Sequence, residues 1–194
     1  HRYYLRIAGK SRPMGHVHVQ DVLRRTFNPM VEVSRLGPYG EPEFTLGDMR
    51  GPKAFIQFRA FLANRGRTLA RHVGLEIVLP RPLAGQEVRR RMQAEGETHY
   101  TQTPGQLSFF RYHPVPLFPT QEVYGSSVWI CVHAKNIAQV RAGATLSWTT
   151  YADDSQPVHS EAQLHDFLVV RRSIDWIEEQ LQDGQGSTES KTRS

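Results

Sequence analysis

A chain of 194 residues can bury one hydrophobic core without disulfide staples, and 39% hydrophobic with 22% charged residues excludes the disordered and fibrous classes. The net charge of +5 is carried almost wholly by arginine, since only Lys10, Lys53, Lys135 and Lys191 are lysines. Guanidinium-rich surfaces suit carboxylate, phosphate or nucleic-acid partners, but a surplus this small does not choose among them.

The single Cys131 excludes an internal disulfide, so nothing argues for secretion. No apolar run of roughly 18 residues and no leader is visible, so a cytoplasmic protein without a membrane partner is expected. The chain opens on His1, directly in a strand pattern, which suggests that it begins inside a longer protein.

Along the chain, residues 2–8 alternate Tyr3, Leu5 and Ile7 with Arg2, Tyr4 and Arg6, a half-buried strand that Gly9 to Pro13 breaks. Val19, Val22, Leu23 and Phe27 form one stripe of a short helix, stopped at Asn28-Pro29. Residues 1–28 therefore read as a strand-helix remnant, the closing edge of an upstream domain. Met30, Val31 and Val33 start a sandwich, the cluster Gly37 to Pro42 predicts a turn, and Phe44 with Leu46 marks a short edge strand.

The strongest patterns lie in residues 54–80. Ala54, Ile56, Phe58, Ala60 and Leu62 alternate with Phe55, Gln57, Arg59 and Phe61, and Val73, Leu75, Ile77 and Leu79 alternate with His72, Gly74, Glu76 and Val78. Period-2 patterning gives each strand one buried face, and Pro80 ends the second because proline has no amide hydrogen for a ladder. Ala84 to Ala94 is a short helical or irregular connection. Leu107 to Tyr112 reads as a strand, His113 to Pro119 as extended chain, and Val128 to Val132 and Leu146 to Thr149 as strands. A turn at Asp153 to Ser155 leads to a last strand over about 162–170. Ser173 is the expected N-cap of a helix over 172–182, and 183–194 a disordered polar tail.

Tyr3, Tyr4, Arg6, Gly9, Ser11, Pro13 and Met14 carry a resemblance. Together they look like the end of the Schlafen/AlbA-type DNA-binding domain of bacterial ATP-binding proteins. The pattern Asn64, Gly66, Ala70, Val73, Leu75, Ile77, Leu79 and Pro80 is similar to the C-terminal extension that some of those proteins carry. The resemblance implies DNA or nucleotide binding in an upstream domain; none of that domain's nucleotide-binding or acidic positions falls on this sequence.

Candidate chemistry is sparse. His16 and His18 have no ligand partner at a metal-binding spacing, Asp153 and Asp154 suit a polar turn, and Cys131 has no visible activating base. Ser126-Ser127 lacks the glycine frame of a nucleophile elbow. No catalytic, cofactor-binding or metal residue is expected in this fragment, and it is not read as an enzyme. Arg65, Arg67, Arg71, Arg89, Arg90 and Arg91 are candidate nucleic-acid contacts if they share a face. Trp129, opposite Val128 and Ile130, marks either a contact surface between chains or a second packed layer.

The expectation is thus an all-β, immunoglobulin-like sandwich of about seven strands over 29–171, preceded by the remnant and followed by one helix. Its expected role is non-catalytic, mediating assembly through a protein partner or self-association. The alternative is a sandwich that binds nucleic acid through its arginines.

Overall fold

The computed structural model describes residues 4–7, 10–13, 28–45, 51–95, 98–167 and 174–189. Tyr4–Ile7 (β1) pairs antiparallel with Lys10–Pro13 (β2), so the segment read as a break is the second arm of a hairpin. The expected helix at Val19 to Phe27 and the N-cap Ser173 lie outside the described residues.

Eight further strands form two antiparallel sheets. Val31–Thr45 (β3), Lys53–Asn64 (β4) and Glu122–His133 (β8) make a three-stranded sheet in the order β3-β4-β8. Val73–Pro80 (β5), Thr98–Gln102 (β6), Gln106–His113 (β7), Thr145–Ala152 (β9) and Val158–Gln163 (β10) make a second, in the order β10-β9-β5-β7-β6. The protein is an all-β sandwich. Lettered as an immunoglobulin domain, β3, β4 and β8 take positions A, B and E, and β5, β9 and β10 take C, F and G. Strands β7 and β6 extend the C edge, and among the described residues no strand takes the D position beside β8.

The two patterned strands of residues 54–80 sit in different sheets. Their apolar faces, Ala54, Ile56, Phe58, Ala60 and Leu62 against Val73, Leu75, Ile77 and Leu79, meet as the centre of the core, joined by Phe109, Val128, Ile130 and Leu146. The count is eight rather than about seven because β6, a polar Thr-His-Tyr-Thr-Gln edge, has no apolar alternation to reveal it. The cluster Gly37 to Pro42 is no turn either. Strand β3 runs through it with a bulge between Tyr39 and Glu43, where Gly40 takes φ 69°, so glycine's tolerance of that region bends the strand without ending it. The last strand ends at Gln163, upstream of the expected 162–170, and a tight turn at Leu164–Asp166 follows.

Among the described residues three helices cover the sandwich: Gln86–Ala94 (α1), Ile137–Arg141 (α2) and Ile174–Glu189 (α3). Helix α3 buries Ile177 and Leu181 and runs to Glu189, past the expected end at 182. Arg141 of α2 ties it down through Asp175 at 2.6 Å and Glu178 at 2.7 Å.

One buried amide holds the crossing between sheets. Asn64 is 0% exposed. Its Oδ1 accepts from the amides of Met30 (3.1 Å) and Gly66 (2.9 Å), and its Nδ2 donates to the carbonyls of Thr68 (2.7 Å) and Leu117 (3.0 Å). Gly66 must be glycine here, since a Cβ would lie 2.5 Å from the Met30 nitrogen and 2.6 Å from the Asn28 oxygen. Ala70 bridges Leu117 at the other end of the same connection. The Asn-x-Gly…Ala spacing is thus scaffold chemistry. Asn64→Ala is expected to lower stability by about 3 kcal/mol in urea denaturation, because four backbone groups, all at least partly buried, lose a hydrogen bond at once. A loss below about 1 kcal/mol would contradict that role.

Candidate interaction surface

On the side of the three-stranded sheet turned away from the core, β4 presents Phe55, Gln57, Arg59 and Phe61. Tyr39, Gly37 and Arg35 of β3 stand opposite on one side, and Cys131, Trp129, Ser127 and Tyr124 of β8 on the other. Two phenylalanines on a nominally solvent-facing side signal a cover, and α1 supplies it. The Trp129 amide donates to the Met92 sulfur at 3.3 Å, and the Arg91 guanidinium lies over the Phe55 ring at 4.3 Å and the Trp129 ring at 4.6 Å while pairing with Glu43 at 2.6 Å. Trp129 is therefore only 9% exposed and belongs to a second packed layer.

Beyond the end of α1 the face opens. The Arg59 guanidinium sits 3.2 Å from the centre of the Tyr39 ring and 5.7 Å from that of Tyr124. Arg111 arrives from β7 of the other sheet to lie 5.6 Å from the same Tyr124 ring. Arg35 covers Phe61 at 4.0 Å, and Phe61 meets Tyr124 edge-on. Tyr39 is 47% exposed and Tyr124 37%. Glu95, just past α1, fixes the floor: it accepts from Gln57 Nε2 (3.1 Å), Trp129 Nε1 (3.5 Å) and the Tyr124 hydroxyl (3.2 Å). Ser127 Oγ closes the network, 2.8 Å from Gln57 Nε2 and 2.7 Å from the Tyr124 hydroxyl.

The charges on this face are unequally matched. Arg35 pairs with Glu122 and Arg91 with Glu43. Among the described residues, Arg59 Nε and Arg111 Nη1 are buried and find no hydrogen-bond acceptor.

The six candidate arginines divide between two places. Arg65, Arg67 and Arg71 occupy the connection after β4, where Arg65 pairs with Glu32 at 2.9 Å. Arg89, Arg90 and Arg91 lie on α1, which packs near the other end of β4 against Phe55; along a strand that separation is roughly 30 Å. Arg89 covers the Tyr100 ring, and Arg90 lines an open cleft of about 790 Å³ with Lys53, Arg81, Glu87, Cys131 and His133. Met30, Val115 and Phe118 are exposed on two separate loops at the Asn64 end.

The cleft holds no activated nucleophile. Burial pushes the Cys131 thiol up to about 11, with Glu87 adding to the rise and Lys53 and Arg91 opposing it. Lys53, 7% exposed, is engaged by Glu87 at 3.1 Å. Asn136 pins the cleft wall by donating to the carbonyls of Pro82 and Cys131. Asp153 accepts from the amides of Arg71 and His72 and caps that turn, and Ser126 Oγ donates to the Ser127 carbonyl in mid-strand. No group of three His, Cys, Asp or Glu side chains among the described residues is placed to hold a metal ion; His16 and His18 lie outside them. No helix among the described residues is long and apolar enough to cross a membrane.

No family model matches the chain, and no curated protein matches it. Among solved structures it is similar to a β-glucosidase from Kluyveromyces marxianus, at 15% identity and a TM-score of 0.22, over 70% of this chain and 14% of that one. It is also similar to a β-D-glucoside glucohydrolase from Trichoderma reesei, at 11% identity and a TM-score of 0.23, over 70% of this chain and 19% of that one. The chain thus spans under a fifth of either enzyme, and neither likeness bears on what it does.

The raised thiol gives a pH signature. Cys131 holds its proton more tightly in the folded chain, so its contribution to stability is constant below about pH 9 and is lost between pH 9 and about 11, as the unfolded chain ionises first. Urea denaturation across that range is expected to show the native chain losing stability relative to Cys131→Ala. Parallel curves would show an unperturbed thiol.

Proposed function

We propose that this chain is a non-catalytic interaction module that engages a protein partner through the open half of the three-stranded sheet. The observation that carries the reading is the Tyr39-Arg59-Tyr124 stack. Tyrosine and arginine are the side chains that most often anchor protein interfaces, and here two half-exposed rings hold a guanidinium that has no hydrogen-bonded acceptor at its buried nitrogen. The Glu95 network fixes Tyr124 beforehand, so little side-chain freedom remains to be lost on docking.

Placing the module beside a Schlafen/AlbA-type DNA-binding domain rests on the residues between Tyr3 and Met14 and on the Asn64 to Pro80 pattern quoted above, and a cytoplasmic setting on the lone thiol of Cys131 and the sequence patterning. The nucleic-acid reading through Arg65, Arg67, Arg71, Arg89, Arg90 and Arg91 has less geometry behind it, since the six fall into two distant groups and Arg65 and Arg91 already pair with glutamates. A labelled duplex that binds at low salt and is released steeply as salt rises would favour it.

Photo-crosslinking in cells tests the interaction reading. A photoreactive phenylalanine analogue in place of Tyr39 is expected to give a discrete protein adduct, whereas the same analogue in place of His159, on the edge strand of the other sheet, gives none. Equal adducts at both positions, or none at either, would overturn it.

A further inference from the structure

We infer that Arg59 and Arg111 form a recognition site for two carboxylates on an acidic segment of the partner. This rests on the interaction reading above and names the partner's chemistry.

Buried polar atoms in folded proteins nearly always have partners, so an orphan calls for an explanation, and an incoming ligand group is one. Here two such atoms belong to arginines that share the Tyr124 ring, Arg111 reaching it from the side of β7 where it stands opposite Leu75. Both guanidinium carbons are within 6 Å of the Tyr124 ring centre, which places them no more than about 12 Å apart. Neither group makes an ion pair with a described residue, although Arg35 and Arg91 nearby do. Stacking on Tyr39 and Tyr124 holds the planes of the guanidiniums; Arg59 Nε and Arg111 Nη1 are enclosed, so a ligand would meet the remaining N–H donors of each fork. A carboxylate offers two acceptor oxygens in the geometry that a guanidinium edge matches.

The surrounding charges select the class of ligand. On this face Glu43 and Glu122 are already paired with Arg91 and Arg35, and Glu95 accepts from Tyr124. That leaves Arg59 and Arg111 as the unmatched cations, and two discrete carboxylates complement two discrete cations. Residues two apart on an extended segment put both carboxylates on one side, about 7 Å apart at the backbone, within the span the two arginines allow.

The test is a titration of the full chain, followed through the Arg Nε–H resonances, with a blocked Glu-Thr-Glu peptide, its Gln-Thr-Gln counterpart and inorganic phosphate as separate arms. The Glu peptide is expected to shift the Arg59 resonance saturably and the Gln peptide not at all. Arg59→Gln or Arg111→Gln is expected to weaken binding about tenfold, and Arg67→Gln by less than about twofold. No saturable shift, an equal loss in Arg67→Gln, or phosphate binding as tightly as the Glu peptide would overturn the assignment. Failure here is separable from failure of the interaction reading: a crosslink from position 39 that persists in the Arg59→Gln, Arg111→Gln double variant would keep the interface and remove the carboxylate site.

Discussion

The free edge of β8 decides how this sandwich meets its surroundings. A bare edge strand is a row of unpaired amides and carbonyls, and proteins cover or blunt such rows. In this fold no described strand takes the D position, and α1 lies there in its place, with Met92 receiving the Trp129 amide and Arg91 spread over Phe55 and Trp129. The helix is only nine residues long. It therefore covers the half of the sheet that carries Phe55 and Trp129 and stops at Glu95, leaving Tyr39, Arg59 and Tyr124 uncovered. The covered half is held by apolar packing, and the open half is polar, aromatic and fixed by hydrogen bonds.

The open half departs from ordinary surface design. Exposed arginines normally keep their nitrogens in water, and buried ones are paired. Arg59 and Arg111 do neither at the orphaned atoms, since the rings of Tyr39 and Tyr124 screen them while supplying no acceptor. Cation–π stacking offsets part of the desolvation, by about 1 kcal/mol for each ring contact. In the proposed reading, this arrangement gives up stability in the free protein for a site that receives an anion.

Much of the architecture was legible in the sequence because β4 and β5 alternate strictly, and alternation is what a sheet with one buried face requires. Which sheet each strand joins was not legible, since Asn64 can turn the chain within a sheet or across to another, and only its four hydrogen bonds show the crossing. Strand β6 was hidden by its polarity and the continuity of β3 by a Gly-Pro-rich stretch that bulges where such stretches usually turn. The interaction surface was half visible. Trp129, opposite Val128 and Ile130, marked either a contact surface or a second packed layer, while nothing singled out Arg59. Tyr39, Glu95, Arg111 and Tyr124 belong to four separated segments, which no local pattern unites.

If Arg59 serves a ligand as proposed, it contributes little to the stability of the free chain. Urea denaturation of Arg59→Met tests it most directly, because methionine keeps the length and packs well against the two tyrosines while removing the orphaned donor. The account predicts stability unchanged or raised by up to about 1 kcal/mol. A loss of more than about 1 kcal/mol would show that the Tyr39-Arg59-Tyr124 stack holds the fold together, and would contradict it.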